Sequence, residues 1–260
     1  AALSAAGVFS LADAIHVPLA MSDAAVALAH DVKLGVLFSR RGVVSRDAVD
    51  GLCQDINAEG RGAIGVSAYL APNSMLLIGQ SDTLGRFRER MAPLSNDRLY
   101  LRRNEHAWPP LHTCIVWQKQ IRERAQVMLQ TLNIGHEAPY PEVFSMVTGS
   151  TAYAPETTRQ ILGDWIDHPQ QLWEAVDYTL SQGIETVIHV GPKPNIIPAT
   201  FSRLSDNIEA QTKGSVRMRA LSGMITRPWL QALLPRRATL LRAPRVQHVV
   251  LEDLLLTHAP

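Results

Sequence analysis

Ala63-Ile-Gly-Val-Ser-Ala-Tyr69 and Ser74-Met-Leu-Leu-Ile78, joined by Ala71-Pro72-Asn73, read as two apolar strands closed by a turn. Upstream, Leu34–Ser39 is a further short apolar strand. Ser45 then starts a helix with Ala48, Val49, Leu52 and Ile56 at helical spacing, closing near Gly60. Downstream, Ser81–Met91 carries Leu84, Phe87 and Met91 on one helical face, and Leu99–Leu101 is a last strand. The order β-α-β-β-α-β is the ferredoxin-like unit, expected over residues 34–103.

Outside this unit the rhythm changes. Residues 1–30 hold two alanine-rich helical stretches, with Ser10 as cap and Asp13 three residues on. Pro18 is expected to kink or restart the second. After a polar loop at Asn104–Pro110, His112–Leu132 reads as one long amphipathic helix. Glu142–Val147 reads as a strand, and Pro155–Trp165 and Leu172–Gln182 as helices. Thr186–Val190 is a strand, and Gly191-Pro192 turns the chain into a helix from about Asn195. Helix, glycine, apolar strand, turn and helix is how a parallel sheet is wound. The sequence is therefore read as α/β, with residues 1–33 and 104–210 forming a core into which 34–103 is inserted. Residues 211–260 are expected as a basic helical extension.

Composition narrows the function classes. With 260 residues, 46% hydrophobic, and a net charge of +1, the chain has material for a core and no charge excess that would point to nucleic acid or an anionic membrane. No apolar run approaches the roughly 20 residues of a membrane span. Cys53 and Cys114 make no disulfide framework, which fits a reducing cytoplasm. Ala1–Val8 already reads as a helix interior without cap or basic leader, so a processed or truncated chain is expected.

Four places could carry chemistry. His112 stands between a stiff proline loop and a helix start, and an imidazole held there can act as a general base; a capping or surface histidine is the plainer alternative. His106, His112 and Cys114 are too few for a zinc site without further ligands, and no metal is expected. Gly191-Pro-Lys-Pro-Asn195 lacks the glycine spacing of a phosphate loop and reads as a structural turn. Gly65-Val-Ser-Ala-Tyr69 approaches a nucleophile elbow, but Tyr69 stands where the second glycine is needed, leaving Ser67 a strand serine.

Four landmarks in order carry a resemblance over roughly residues 1–205: Leu111-His-Thr-Cys-Ile-Val116, Ser145-Met-Val-Thr-Gly149, His168-Pro-Gln-Gln-Leu172 and His189-Val-Gly-Pro-Lys-Pro-Asn-Ile196. Together they resemble the malonyl-CoA:acyl-carrier-protein transacylase family. The resemblance implies an α/β-hydrolase-like acyltransferase core with an inserted ferredoxin-like subdomain. It implies His112 as catalytic base, the backbone near Gln171 as the group orienting it, and Met21, Asn104 and Ser145 as substrate-pocket residues. The family's nucleophilic serine would lie a few residues before Ala1, which leaves this chain alone expected to be inactive.

The implied substrates are a coenzyme A thioester, malonyl or another short acyl group, and the phosphopantetheine thiol of an acyl carrier protein, in fatty-acid or polyketide synthesis. No further cofactor is implied. No arginine occurs before Arg40, so the residue that would pair with a malonyl carboxylate has no counterpart near Met21. A non-catalytic docking or scaffolding domain that meets an acidic carrier through Arg86, Arg88, Arg90, Arg102 and Arg103 is the alternative, and a thioester hydrolase is a third.

Overall fold

The computed structural model of the chain describes residues 2–40, 42–95, 97–135, 137–191, 200–202, 204–206, 208 and 236–258. It divides into two compact units, Ala1–Trp173 and Glu174–Pro260.

The first unit is built on a four-stranded antiparallel sheet of β1 (Val32–Ser39), β2 (Ile64–Ala71), β3 (Ser74–Gln80) and β4 (Leu99–Ala107), in the order β2-β3-β1-β4. With α3 (Arg46–Ala58) and α4 (Thr83–Arg90) as crossovers, this is the ferredoxin-like topology. Ser45 caps α3 by accepting the Ala48 N–H at 3.3 Å, and Val49, Cys53 and Ile56 bury its inner face. Pro72-Asn73 closes the β2–β3 hairpin. The Asn73 side chain donates to the Ser39 carbonyl at 2.7 Å, which ties the hairpin tip to β1.

Both faces of the sheet are covered, which is why β1 is apolar almost throughout. Leu37, Met75 and Leu77 pack with Val49, Ile56 and Phe87 under α3 and α4. Val32, Leu34 and Ile78 point the other way, into a core with Leu28, Ile115, Ile121, Leu129 and Ile166. Those residues come from α2 (Leu11–Leu28), a 3-10 segment at Cys114–Lys119, α5 (Ile121–Gln130) and α6 (Thr158–Asp167); a short α1 (Ala2–Ala5) precedes them.

Several elements differ from the sequence expectation. α2 runs unbroken through Pro18. The helix expected over His112–Leu132 is broken at Gln120, whose φ of 51° puts it in the left-handed region between the 3-10 segment and α5. Glu142–Val147 is not a strand. Only an isolated bridge joins Ser145 to Ser150, and the Val147 and Thr148 N–H groups turn back onto the Ser145 hydroxyl instead of extending.

The second unit takes up all but the first two residues of α7 (Leu172–Ser181), which buries Val176 and Leu180 and stops before Gly183, whose φ is 77°. β5 (Thr186–His189) pairs in parallel with β6 (Gln247–Val250), the one parallel pair of strands among the described residues. Residues 211–260, expected as a helical extension, thus supply a strand as well as a 3-10 segment at Arg236–Arg245 and α8 (Leu251–His258). Arg242 fixes this part of the chain by donating to the Gly183 carbonyl at 2.7 Å. The helix expected from Asn195 falls outside the described residues. No described helix is long and apolar enough to cross a membrane.

Candidate active site

An α-helix leaves its last four carbonyls without intrahelical partners. At the end of α6 two of them are taken by one residue. The His112 N–H donates to the Ile166 carbonyl at 2.6 Å, and His112 Nδ1 lies 2.5 Å from the Trp165 carbonyl oxygen. The Trp165 ring meets the imidazole edge-on, with centroids 4.8 Å apart. His112 has a φ of 67°, a strained conformation for a residue with a Cβ, and these contacts over-determine it. Next to it, Thr113 is buried and its hydroxyl donates to the Pro110 carbonyl at 2.7 Å.

The chemistry follows from the geometry. A carbonyl only accepts, so the short contact to Trp165 makes Nδ1 the protonated nitrogen of the neutral ring. Nε2 then carries the lone pair, and no hydrogen bond to it is found among the described residues. Burial pushes the His112 pKa below the usual histidine value, and the Trp165 carbonyl opposes that shift. The negative end of the α6 dipole also favours a positive ring here, by about 0.3–1 kcal/mol and up to about 2 kcal/mol in partly buried geometries. A ring that rests neutral yet is supported when protonated has the properties of a general base.

The orienting residue differs from the expected one. Gln171 is not a hydrogen-bond partner of the imidazole; its side chain accepts from Arg46 at 3.2 Å and its N–H donates to the Met146 carbonyl at 2.6 Å. The orienting carbonyl belongs to Trp165, because the end of α6, not the start of α7, faces His112. Two further residues were not singled out for this role. Gln170 places its side-chain nitrogen 3.2 Å from His112 Nδ1, and Ser67 donates to the Leu111 carbonyl at 3.3 Å. A backbone acceptor leaves no mark in a sequence; the glutamine pair at 170–171 was visible, but its register on the site was not.

Of the remaining expected residues, Ser145 and Asn104 hydrogen-bond within their own segments. Ser145 is fully buried, and its hydroxyl accepts the Val147 and Thr148 N–H groups at 3.3 Å, locking a turn. Asn104 lies on β4 and accepts its neighbour His106 N–H at 3.0 Å. Met21 lies in α2, and its side chain is outside the described residues. Cys114 Sγ faces Asn57 and the Ile64 carbonyl, each at 3.8 Å, and does not join His106 and His112 as metal ligands. Asp164, Asp167 and His168 do cluster, but Arg122 already supplies a cation to both carboxylates. Ser67 is a buried β2 residue, as the strand reading expects.

No protein-family model matches the sequence, and no curated protein matches it. Solved structures do. A malonyl transacylase (FabD) from Acinetobacter baumannii is similar over 74% of this chain and 58% of its own, with a TM-score of 0.60 and 22% identity. The malonyl-CoA:acyl carrier protein transacylase of Coxiella burnetii is similar over 76% and 60%, with a TM-score of 0.62 and 15% identity. The chain has the malonyl-transacylase fold. A further structure with that fold is a malonyl transacylase in complex with a type II polyketide acyl carrier protein, similar over 76% of this chain with a TM-score of 0.62 and 16% identity. The chain spans about three fifths of the length of these transacylases.

Proposed function

We propose that this chain is the histidine-bearing part of an acyltransferase that moves a malonyl or other short acyl group from coenzyme A to the phosphopantetheine thiol of an acyl carrier protein. The reading is supported above all by His112, held by the end of α6 with Nδ1 against the Trp165 carbonyl and Nε2 left to act, within a malonyl-transacylase fold. Residues 34–103 form the inserted subdomain in this reading, residues 1–33 and 104–210 belong to the catalytic core, and the protein works in the cytoplasm.

The nucleophile is a serine on a segment preceding Ala1. His112 Nε2 takes the serine proton as the hydroxyl oxygen attacks the thioester carbonyl; the carbon–sulfur bond then breaks, and the coenzyme A sulfur leaves with the proton returned by the imidazolium. In the second half His112 takes the phosphopantetheine thiol proton, the sulfur attacks the acyl-serine ester, and the serine oxygen recovers the proton. The α6 terminus supports the transient imidazolium, the task a carboxylate performs in a Ser-His-Asp triad. This chain by itself is inactive in this account.

The test is product analysis. Full-length protein incubated with acyl-CoA and carrier protein bearing phosphopantetheine is expected to yield acylated carrier, and His112→Ala to lose at least about 100-fold of that rate. Free acid in place of acyl carrier would identify a hydrolase instead. No turnover from a folded full-length protein, with retained binding of the carrier, would identify a docking domain.

A further inference from the structure

His112 Nδ1 meets a second group whose chemistry opposes the first. The Trp165 carbonyl at 2.5 Å can only accept, whereas the Gln170 side-chain nitrogen at 3.2 Å can only donate. The orientation of that amide is set independently of the ring, because the same nitrogen also donates to the His168 carbonyl at 3.2 Å. Turning the amide over would put its oxygen against that carbonyl. The shorter contact decides the tautomer, so Nδ1 carries its proton toward Trp165. The positive end of the Gln170 amide then lies against a ring that must become positive to do its work.

Gln170 is unusually well anchored for a loop residue. It is buried, its N–H donates to the Ser67 carbonyl at 2.8 Å, and its carbonyl accepts the Tyr69 N–H at 2.9 Å. These bonds add the loop to the free edge of β2 as a parallel bridge at Ala68. Ser67 also donates to the carbonyl of Leu111, the residue before His112. Tyr69 is held in turn by Asp50, which accepts its hydroxyl at 3.2 Å, and by Arg46, whose guanidinium lies 4.2 Å over its ring. The ferredoxin-like sheet therefore grips the histidine loop through one strand edge.

We propose that Gln170 is a positioning residue for His112: fixed on the β2 edge, its amide N–H opposes a second proton on the imidazole and keeps Nε2 free as an acceptor. The proposal rests on the reading of His112 as a general base, but it concerns the proton inventory of the ring itself. Other charged groups near by are engaged elsewhere. On α6, Asp167 is paired with Trp117, Arg122 and His168, and Asp164 with Arg122. On the β2 side, Asp50 and Arg46 are taken by Tyr69, and Arg46 also by Gln171. Among the described residues no charged side chain hydrogen-bonds His112.

The test is nitrogen-15 NMR of the His112 imidazole in the 260-residue chain across pH, in wild type, Gln170→Ala and Gln170→Glu, with amide spectra reporting the fold. Wild type is expected as the Nδ1–H tautomer at neutral pH, with a ring pKa below about 6.5. Gln170→Ala removes the amide and admits water, so the pKa returns toward about 6.5. Gln170→Glu places an acceptor where the donor was, and the pKa rises above that value, with at least about a tenfold greater protonated fraction near neutral pH than in wild type. Loosening of the loop alone would bring both variants to the same value, and that result overturns the proposal. A wild-type ring carrying its proton on Nε2 overturns it without any variant. A pKa response as expected, alongside an unimpaired His112→Ala enzyme, would sink the catalytic reading and leave this inference standing.

Discussion

Trp117 is 58% exposed, yet replacing it should cost more than a surface substitution normally does. Its Nε1–H donates at 2.8 Å to Asp167 Oδ2, and the Asp167 side chain has no solvent-accessible surface. Trp117→Phe keeps most of the ring's apolar contact and removes only the donor. The loss is asymmetric, because a buried carboxylate oxygen keeps only Arg122 at 3.4 Å, beyond a good hydrogen bond. A hydrogen bond to a charged group contributes about 1.5–3 kcal/mol. A tightened Arg122 contact recovers part of that, so the expected cost is about 1.5–2 kcal/mol. Most exposed substitutions stay within about 0.5 kcal/mol.

Urea unfolding at neutral pH measures the effect as a lower midpoint with unchanged slope for the transition of the first unit. Trp108→Phe, also at an exposed tryptophan, serves as control and should stay within about 0.5 kcal/mol of wild type. In an Asp167→Asn background the charged acceptor is gone, and Trp117→Phe should then cost less than about 1 kcal/mol. Because Asp167 ends α6 and the Trp165 and Ile166 carbonyls hold His112, the imidazole resonances should also move in Trp117→Phe. A Trp117→Phe protein as stable as the control, or equal costs in both backgrounds, would refute the reasoning.

Other consequences are open to measurement. Gly79→Ala would place a Cβ 2.3 Å from the Thr83 hydroxyl, which is buried and committed to the Gln80 carbonyl; overpacking of about 1–3 kcal/mol is expected by urea unfolding, and a neutral variant would contradict the close approach of α4 to β3. Burial lowers the His112 pKa, so as pH falls below about 6.5 the unfolded chain takes this proton first and stability drops until the folded ring also titrates. His112→Asn should lack that component, and the wild-type-minus-variant stability should therefore decline on going from pH 7.5 to 5.5; a difference independent of pH would contradict it. Arg61, Arg90 and Arg86 hold Glu59 well below the carboxylate range, at about 2. Its contribution is present above about 4.5 and is lost as pH falls toward 2, so the gap between wild type and Glu59→Gln should close on acidification, and a constant gap would exclude that ion cluster.

The ferredoxin-like unit was legible because two simple periods coincide with what its elements bury. Val49, Cys53 and Ile56 recur at helical spacing, and the strands are bounded by Pro72-Asn73 and by Ser45 and Gly60. Elsewhere local pattern misled. Glu142–Val147 has the composition of a strand, but a strand exists only through its partner. His112–Leu132 has helical periodicity, yet the backbone turns at Gln120, because Ile115 and Val116 must enter the core beside the β-sheet before α5 can run under α6. The tail's basic composition concealed β6, whose pairing with β5 is a contact across some sixty residues. At the site, the motif at Leu111–Val116 marked His112, while its orienting group was a carbonyl at a helix end. That partner is specified by where α6 stops, whereas Gln171, the expected group, stands four residues past the end of α6 and just before α7.

The central claim is a covalent acyl-enzyme formed with the help of His112. The most direct measurement is mass spectrometry of the full-length protein after brief incubation with malonyl-CoA or acetyl-CoA, in wild type and His112→Ala. The account predicts an acyl adduct on a serine preceding Ala1, forming much more slowly in the variant, with the preferred donor defining the acyl group. An adduct that forms equally fast without His112, or no adduct from folded wild type with either donor, would contradict it.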